Sequence, residues 1–438
     1  MRTKLSFLLA IMVIVLGFGA ARPSYAAPQS ATAGDLRGLL DTQLGEHVLL
    51  AASATDAALN GRTDEFKAAA ASLDANSVAL SKSIGSVYGT DAENAFLPLW
   101  RKHIGFFVDY TQAVAAKDAA KKDMATKNLI QYGQDFGAFI NSANPNLPKQ
   151  AVADLLAPHV MTLNAVIDAQ AVKDYPTVYT DLRKAYTHMD MVASALAGGI
   201  AKQFPDKFTG AADSSASGLR SALTNLLNEH VYLAADATNA ALGGRDTEFK
   251  AAAAALDGNS VDLSKAIGSV YGTDAENAFL PLWRKHIGFF VDYTQGVATK
   301  DQAKKDMATK NLIQYGQDFG AFINSANPNL PKQAVADLLA AHVTTLNAVI
   351  DAQGSKDYTG AYTNLRAAYA HMPMVANALT DGIVKQFSTK FTDAGTIMMA
   401  MPNTGAESNS GPYILAFATG LLLLVTGMGL RRRFASLK

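Results

Sequence analysis

Eight histidines are the residues of this chain best suited to chemistry, and they form two sets of four at matching positions of a repeat. The sets are His47, His103, His159 and His188, followed by His230, His286, His342 and His371. Neutral imidazole binds transition metals and haem iron, and it exchanges protons near neutral pH. The members of a set are far apart in sequence, so only a fold that brings distant segments together can turn them into one site.

Each histidine of a set falls on a different predicted helix, and helical spacing indicates which way it points. Residues three, four and seven positions away share a helical face. Around His103, His159 and His230 these positions hold almost only apolar and aromatic residues, which predicts that the three face a core. The positions around His188 are mixed, whereas those around its counterpart His371 are alanine and valine. We therefore expect all four histidines of each set to point inward.

Two interpretations of inward histidines compete. A single buried histidine is usually a core residue whose ring bonds a backbone carbonyl. Helix bundles, however, also place cofactor ligands on facing helices, with the side chains projecting into the interior. Because no histidine of either set is predicted to lie on the surface, the sequence favours a bound metal or haem over four separate structural roles.

The make-up of the predicted site indicates which ligand it would take. No histidine has a glutamate three residues before it, so the Glu-x-x-His signature of di-iron bundles is absent. A histidine-rich, carboxylate-poor set favours copper or zinc over calcium, magnesium or manganese. Met191 and Met374 follow His188 and His371 by three residues, and a thioether on the same face selects Cu(I). We predict copper bound by the eight histidines and these two methionines, with zinc or bis-histidine haem as alternatives.

The elements that must position these residues are helices arranged in a duplicated unit. Residues 35–208 align without a gap to residues 218–391, and residues 209–217 read as a short polar linker. Apolar residues recur at intervals of three and four, and β-branched alternation is absent. The first copy predicts helices at about 35–60, 63–88, 91–117, 119–142, 148–172 and 176–203. Short connections make neighbours antiparallel, so we predict an all-α chain of two near-identical up-and-down bundles.

Composition limits the function classes. Hydrophobic residues make up 49% of the chain and charged residues 17%, which is typical of globular domains. The formal net charge is zero, which argues against a nucleic-acid partner. The absence of cysteine excludes disulfides, thiolate catalysis and cysteine-based zinc sites. No phosphate-binding loop or nucleophile motif is present, so no enzymatic reaction is predicted.

Both ends of the chain predict targeting segments. Residues 1–26 combine Arg2 and Lys4 with an apolar run and a small-x-small site, as a secretory signal peptide does, with cleavage after Ala26. After a spacer at residues 392–412, residues 413–430 are uncharged and long enough to span a bilayer. The basic tail at residues 431–438 should remain in the cytoplasm. We therefore expect the repeats to lie outside the cell, anchored to the membrane or the wall.

Two stretches resemble known families. The five residues before the apolar segment resemble the LPxTG sorting signal of Gram-positive surface proteins: Met401, Pro402, Asn403, Thr404 and Gly405, with methionine where the family usually has leucine. The resemblance implies cleavage between Thr404 and Gly405 by a sortase-like transpeptidase and attachment of Thr404 to the cell wall. The strings "LWRKHIGFFVDYT" and "YGQDFGAFINSANPNLP" resemble secreted helical proteins of Gram-positive bacteria that are labelled copper-amine-oxidase-like. Amine oxidases of that name are β-rich and carry a T-x-x-N-Y motif that this chain lacks, so the resemblance brings no activity with it.

Together these features predict a surface-anchored extracytoplasmic protein that binds copper, with one histidine-rich site in each bundle, for sequestration, storage or delivery. A spacer or adhesion module without a cofactor is the alternative, because duplication lengthens a stalk as readily as it doubles a binding capacity. A bis-histidine haem protein is a second alternative. A redox enzyme would need a substrate pocket that the sequence does not reveal.

Overall fold

A computed structural model describes residues 31–392, and helices account for nearly all of them. The first copy contains α1 (Ala33–Leu59), α2 (Thr63–Tyr88), α3 (Thr90–Ala115), α4 (Ala119–Ala143), α5 (Lys149–Val172) and α6 (Tyr175–Gln203). The second contains α7 (Ser215–Leu242), α8 (Asp246–Tyr271), α9 (Thr273–Thr299), α10 (Gln302–Ala326), α11 (Lys332–Ser355) and α12 (Tyr358–Gln386). The all-α prediction is confirmed. The predicted signal peptide, sorting signal, membrane segment and basic tail lie outside the described residues.

The helix ends follow local sequence chemistry, and the predicted bounds of the first copy agree with α1 to α6 within two residues. Asp118 caps α4 by accepting a hydrogen bond from the backbone of Lys121 at 3.0 Å. Between α2 and α3 the chain turns at Gly89, whose φ of 92° is open to glycine and costly for other residues. Helix α3 begins at Thr90, and Gly89 occupies the cap position before it.

Each bundle is an up-and-down arrangement in which every helix packs against the next one along the chain. In the first bundle α1 also packs against α5 and α6, which closes the ring around a shared apolar core. The second bundle repeats this arrangement with α7, α11 and α12. Helices α5 and α11 are long and apolar enough to span a bilayer by composition alone. In this fold they pack against both neighbouring helices of their bundle, so their apolar faces belong to the core.

The two bundles pack against each other along matching surfaces. Helix α1 contacts α7, α2 contacts α12, and α6 contacts α8, so each contact is repeated with the roles of the copies exchanged. Residues 31–32 (β1) and 208–209 (β2) add a two-residue parallel pairing, and α7 begins at Ser215, inside the predicted linker. The described residues therefore form one body with its own complete core.

Buried ion pairs cross this interface in both directions. Arg183 of α6 holds Glu229 of α7 through two hydrogen bonds of 2.9 and 3.0 Å. Arg366 of α12 holds Glu46 of α1 in the same two-pronged way, at 2.9 and 3.1 Å. Both glutamates are almost fully buried, so each depends on an arginine from the other copy for its countercharge.

Candidate metal centre

Three histidines of the first copy converge in the interior of the bundle. His47 lies near the middle of α1, His103 near the middle of α3 and His159 within α5. Helices α1, α3 and α5 run in the same direction in an up-and-down bundle. The three rings lie at a similar level along the bundle axis. The Nε2 atoms of His47 and His103 are 3.2 Å apart, and one nitrogen of each ring lies within 4.8 Å of the others. All three side chains are buried.

The second copy repeats this triad on the corresponding helices. His230 of α7, His286 of α9 and His342 of α11 are buried, and one nitrogen of each lies within 4.8 Å of the others. The Nε2 atoms of His230 and His286 are 3.3 Å apart. The structure therefore contains two separate histidine triads, one inside each bundle.

Aromatic rings surround the first triad and hold its imidazoles in place. Trp100, one helical turn before His103, meets the His103 ring edge to face at a centroid distance of 4.5 Å. Tyr132 of α4 stacks on the other side of His103 at 5.0 Å. Phe107 packs against His159 at 5.8 Å. Such contacts fix ring orientation and exclude water, so the nitrogens are presented to one another in an apolar setting.

No carboxylate joins the triad, even though Glu46 is the residue before His47. A step of one residue rotates a side chain by about 100° around the helix. Glu46 therefore points toward the other copy, where it pairs with Arg366 and accepts a hydrogen bond of 2.7 Å from Asn76. The amide of Asn76 thus supports this ion pair. The triad consists of three nitrogen donors without a negative charge beside them.

The buried histidines are held in their neutral form. Burial, and after it repulsion from a neighbouring imidazole, lowers the pKa of His103 to about 3 and that of His159 to about 4. The pKa of His47 is lowered in the same direction, mainly by burial and then by His103 and His159. The second triad behaves alike, with burial bringing the pKa of His286 to about 3 and that of His342 to about 4. At neutral pH each ring keeps a free lone pair, which a metal ion can use without displacing a proton.

Several buried polar atoms around the triad have no hydrogen-bond partner. They include the Nδ1 atoms of His47, His103 and His159, the indole nitrogen of Trp100 and the hydroxyl of Tyr132. The Nδ1 atoms of the second triad share this condition. Leaving a buried donor or acceptor unpaired costs about 1–3 kcal/mol. These atoms therefore cost the core some stability whether or not an ion is bound at the Nε2 atoms.

The distances suit a metal ion with few ligands. Two nitrogens bound to one ion at about 2.0–2.1 Å and separated by 3.2 Å subtend an angle of about 100–106° at the ion. A three-coordinate ion needs separations of about 3.5 Å between its ligand atoms at the same bond length. The Nε2 atoms of His47 and His103 are 3.2 Å apart, and one nitrogen of each of the three rings lies within 4.8 Å of the others, so the rings need only small movements to bind one ion.

The fourth predicted histidine of each copy does not join its triad. His188 places Nε2 2.7 Å from the carbonyl oxygen of Leu155, and His371 places Nε2 2.8 Å from that of Leu338. These hydrogen bonds to α5 and α11 are the ordinary role of a buried or half-buried histidine. We therefore remove His188 and His371 from the predicted ligand set, because their rings are directed at backbone carbonyls.

The two predicted methionine ligands are also displaced from the site. Met191 is 57% exposed and Met374 is 53% exposed, so their thioethers face solvent. The methionines that lie beside the triads are Met189 and Met372, which are buried and line the cavities there. The spacing of apolar residues along α6, with Leu182, Met189 and Val192 on one face, was the signal that could have found them.

No protein family, curated protein or solved structure matches this chain. What the site can do is therefore argued from its own geometry.

Proposed function

We propose that this chain is a cell-surface copper-binding protein that holds one Cu(I) ion in each bundle, at His47, His103 and His159 and at His230, His286 and His342. The single observation that carries the proposal is the convergence of three buried, neutral imidazoles in each copy. Two matched sites per chain suit storage, sequestration or delivery of the ion. The signal peptide and sorting signal predicted from the sequence support a position outside the cell, attached to the wall by a sortase-like transpeptidase or to the membrane.

Charge favours a monovalent ion over a divalent one. The cost of moving an ion into a medium of low dielectric constant rises with the square of its charge, so it is roughly four times greater for Zn²⁺ than for Cu(I). The triad contains no carboxylate to offset that charge. The number of ligands does not discriminate, because three imidazoles hold Cu(I) directly and hold zinc with water as a fourth ligand. Copper in its reduced state is therefore the better match to this donor set.

Haem fits the geometry poorly. Two axial imidazoles must lie on opposite faces of the porphyrin, which sets their nitrogens about 4 Å apart, twice an ordinary metal–nitrogen bond. His47 and His103 approach to 3.2 Å, which leaves no room for a macrocycle between them. A bundle without any cofactor remains the rival, because a separation of 3.2 Å also fits a hydrogen bond between two neutral imidazoles.

Metal titration of residues 27–404 separates these alternatives. We expect two equivalents of Cu(I) per chain, measured anaerobically by competition with a chromogenic Cu(I) chelator and by elemental analysis. The double variant His103→Ala/His159→Ala should bind one equivalent, because the second triad is intact. His188→Ala is the matched control and should still bind two. Metal-free protein after copper exposure would contradict the proposal, and a Soret band on adding haem would assign the site to porphyrin instead.

A further inference from the structure

A cavity of about 70 Å³ lies beside the first triad, and all three imidazoles form part of its wall. On α3 the wall extends from His103 back to Ala92, and on α6 it extends from Met189 forward to Ile200. The ends of each stretch are eleven residue steps apart, which corresponds to about 16 Å along a helix. The cavity is therefore elongated, and it runs from the triad toward one end of the bundle.

The far end of this cavity is closed by a polar contact. Tyr88, the last residue of α2, donates its hydroxyl hydrogen to Gln203 at 2.9 Å and accepts a hydrogen bond of 3.1 Å from Asn144. Ala143, which also lines the cavity, is exposed. Tyr88 and its two hydrogen-bond partners therefore lie at the end of the cavity that is nearest to an exposed residue.

The walls define the chemistry of a ligand. Apart from the triad, Trp100, Tyr132, Tyr88 and the thioether of Met189, they consist of aliphatic and phenylalanine side chains. A water molecule needs two to four polar partners, which the aliphatic length of the cavity does not provide. Apolar cavities of about 150 Å³ stay dry and bind benzene or xenon. A cavity of about half that volume suits an uncharged molecule of only a few atoms.

We propose that the first bundle binds a small uncharged molecule of diatomic size, such as dioxygen or carbon monoxide, in this cavity. A metal ion held by three imidazoles would keep a coordination position for a further ligand, and all three rings line this apolar cavity. Anions and hydrated species are excluded by the cost of entering the apolar passage. The part of the inference that concerns the ion depends on the proposed function; the cavity itself does not.

The second bundle provides an internal comparison. Its triad adjoins a smaller cavity of about 30 Å³, lined by His230 and His342 but not by His286. The residue types at the positions that form the first cavity are the same in both copies. We therefore expect the same class of ligand in the second bundle, but with lower occupancy at a given concentration.

The test uses residues 27–404, which contain the complete described core, first without metal and then loaded with Cu(I). Without metal, xenon should bind, seen by ¹²⁹Xe NMR as a shift that saturates with xenon pressure. Val192→Phe fills the first cavity and should remove most of that shift, while Val375→Phe, its match in the second bundle, should remove a minor part. Val192→Ile adds only one carbon and keeps the test valid if the larger substitution prevents folding. Equal loss in the two phenylalanine variants, or no xenon shift in the parent, would overturn the proposal.

With Cu(I) bound, carbon monoxide should give an infrared C–O stretching band. Val192→Phe should weaken the contribution of the first bundle to this band at least tenfold, while the variant retains two copper ions per chain. Copper binding without any such band would overturn the claim that the open position faces the cavity. If copper does not bind at all, the proposed function fails, and the xenon measurement still decides whether the cavity takes an apolar ligand.

Discussion

Acid should destabilise the metal-free protein steeply below pH 6.5, because buried neutral histidines become proton acceptors only when the chain unfolds. An unfolded histidine has a pKa near 6.5, whereas burial lowers the pKa of His103 and His286 to about 3 and that of His159 and His342 to about 4. Between these limits the unfolded state binds more protons than the folded state, so the free energy of unfolding rises with pH. The loss of unfolding free energy is absent above pH 6.5, grows as pH falls, and levels off below about pH 3.

The size of the effect follows from the same values. At pH 5 each of the four histidines is 1.5 units below its unfolded pKa, which corresponds to about 2 kcal/mol at about 1.4 kcal/mol per unit. The four together give about 8 kcal/mol, comparable with the whole stability of an ordinary domain.

Urea unfolding of residues 27–404, followed by circular dichroism at pH 7.5, 6.0 and 5.0, measures this loss. The control is His188→Ala, whose ring is not part of a triad and which should keep the same pH dependence. Replacing both His103 and His159 by glutamine should remove about half of the dependence on pH. Equal pH dependence of the unfolding free energy in the parent and in the glutamine double variant would refute the reasoning, because buried carboxyls with a raised pKa, such as Asp41 and Asp236, shift both proteins alike and in the opposite direction.

Three substitutions test other parts of the structure. Arg366→Met leaves Glu46 buried without its countercharge and should lower the free energy of unfolding by about 3–5 kcal/mol in urea titrations. Gly45→Ala places a methyl group 2.6 Å from a tyrosine ring at the interface between the copies, and overpacking of this kind should cost about 1–3 kcal/mol. Met191→Ala should change the free energy of unfolding by less than about 0.5 kcal/mol, because its side chain faces solvent. For the same reason it should leave the copper affinity unchanged.

Each of these has a matched control. Arg101→Met removes an exposed pair with Asp74 and should cost less than about 1 kcal/mol, so an equal loss in both arginine variants would contradict the role given to burial. Gly105→Ala meets open space and should stabilise α3 by about 0.5–1 kcal/mol. Met189→Ala removes a buried side chain and should lower the free energy of unfolding by about 2–5 kcal/mol. If Met191→Ala weakened copper binding and Met189→Ala did not, the exposed thioether of Met191 would have to be a copper ligand.

The sequence predicted the helices and the inward histidines because both depend on local spacing. Apolar recurrence at three and four residues located α1 to α6, and the aromatic face around His103 placed that ring in the core. The direction of His188 was less certain, since one residue changes a side chain's direction by about 100°. That step separates His188 from Met189, which lines the cavity beside the triad together with other residues of α6.

The packing of the two copies was not predictable from periodicity. Glu46 and Arg366 are 320 residues apart, and no local pattern indicates that they meet. A polar linker between near-identical units suggested separate bundles, whereas the buried length of α1 and α7 reflects their contact with each other. The height at which three rings meet likewise depends on how the helices are stacked, which only the assembled bundle determines.

X-ray absorption at the copper edge, on the protein loaded anaerobically with two equivalents of Cu(I), examines the three-imidazole site most directly. A first shell of three nitrogens at about 2.0 Å, with the multiple-scattering pattern of imidazole rings and without sulfur, is the expected result. A shell that contains sulfur, or one with a single nitrogen completed by water, would show that the buried triads are not where the metal resides.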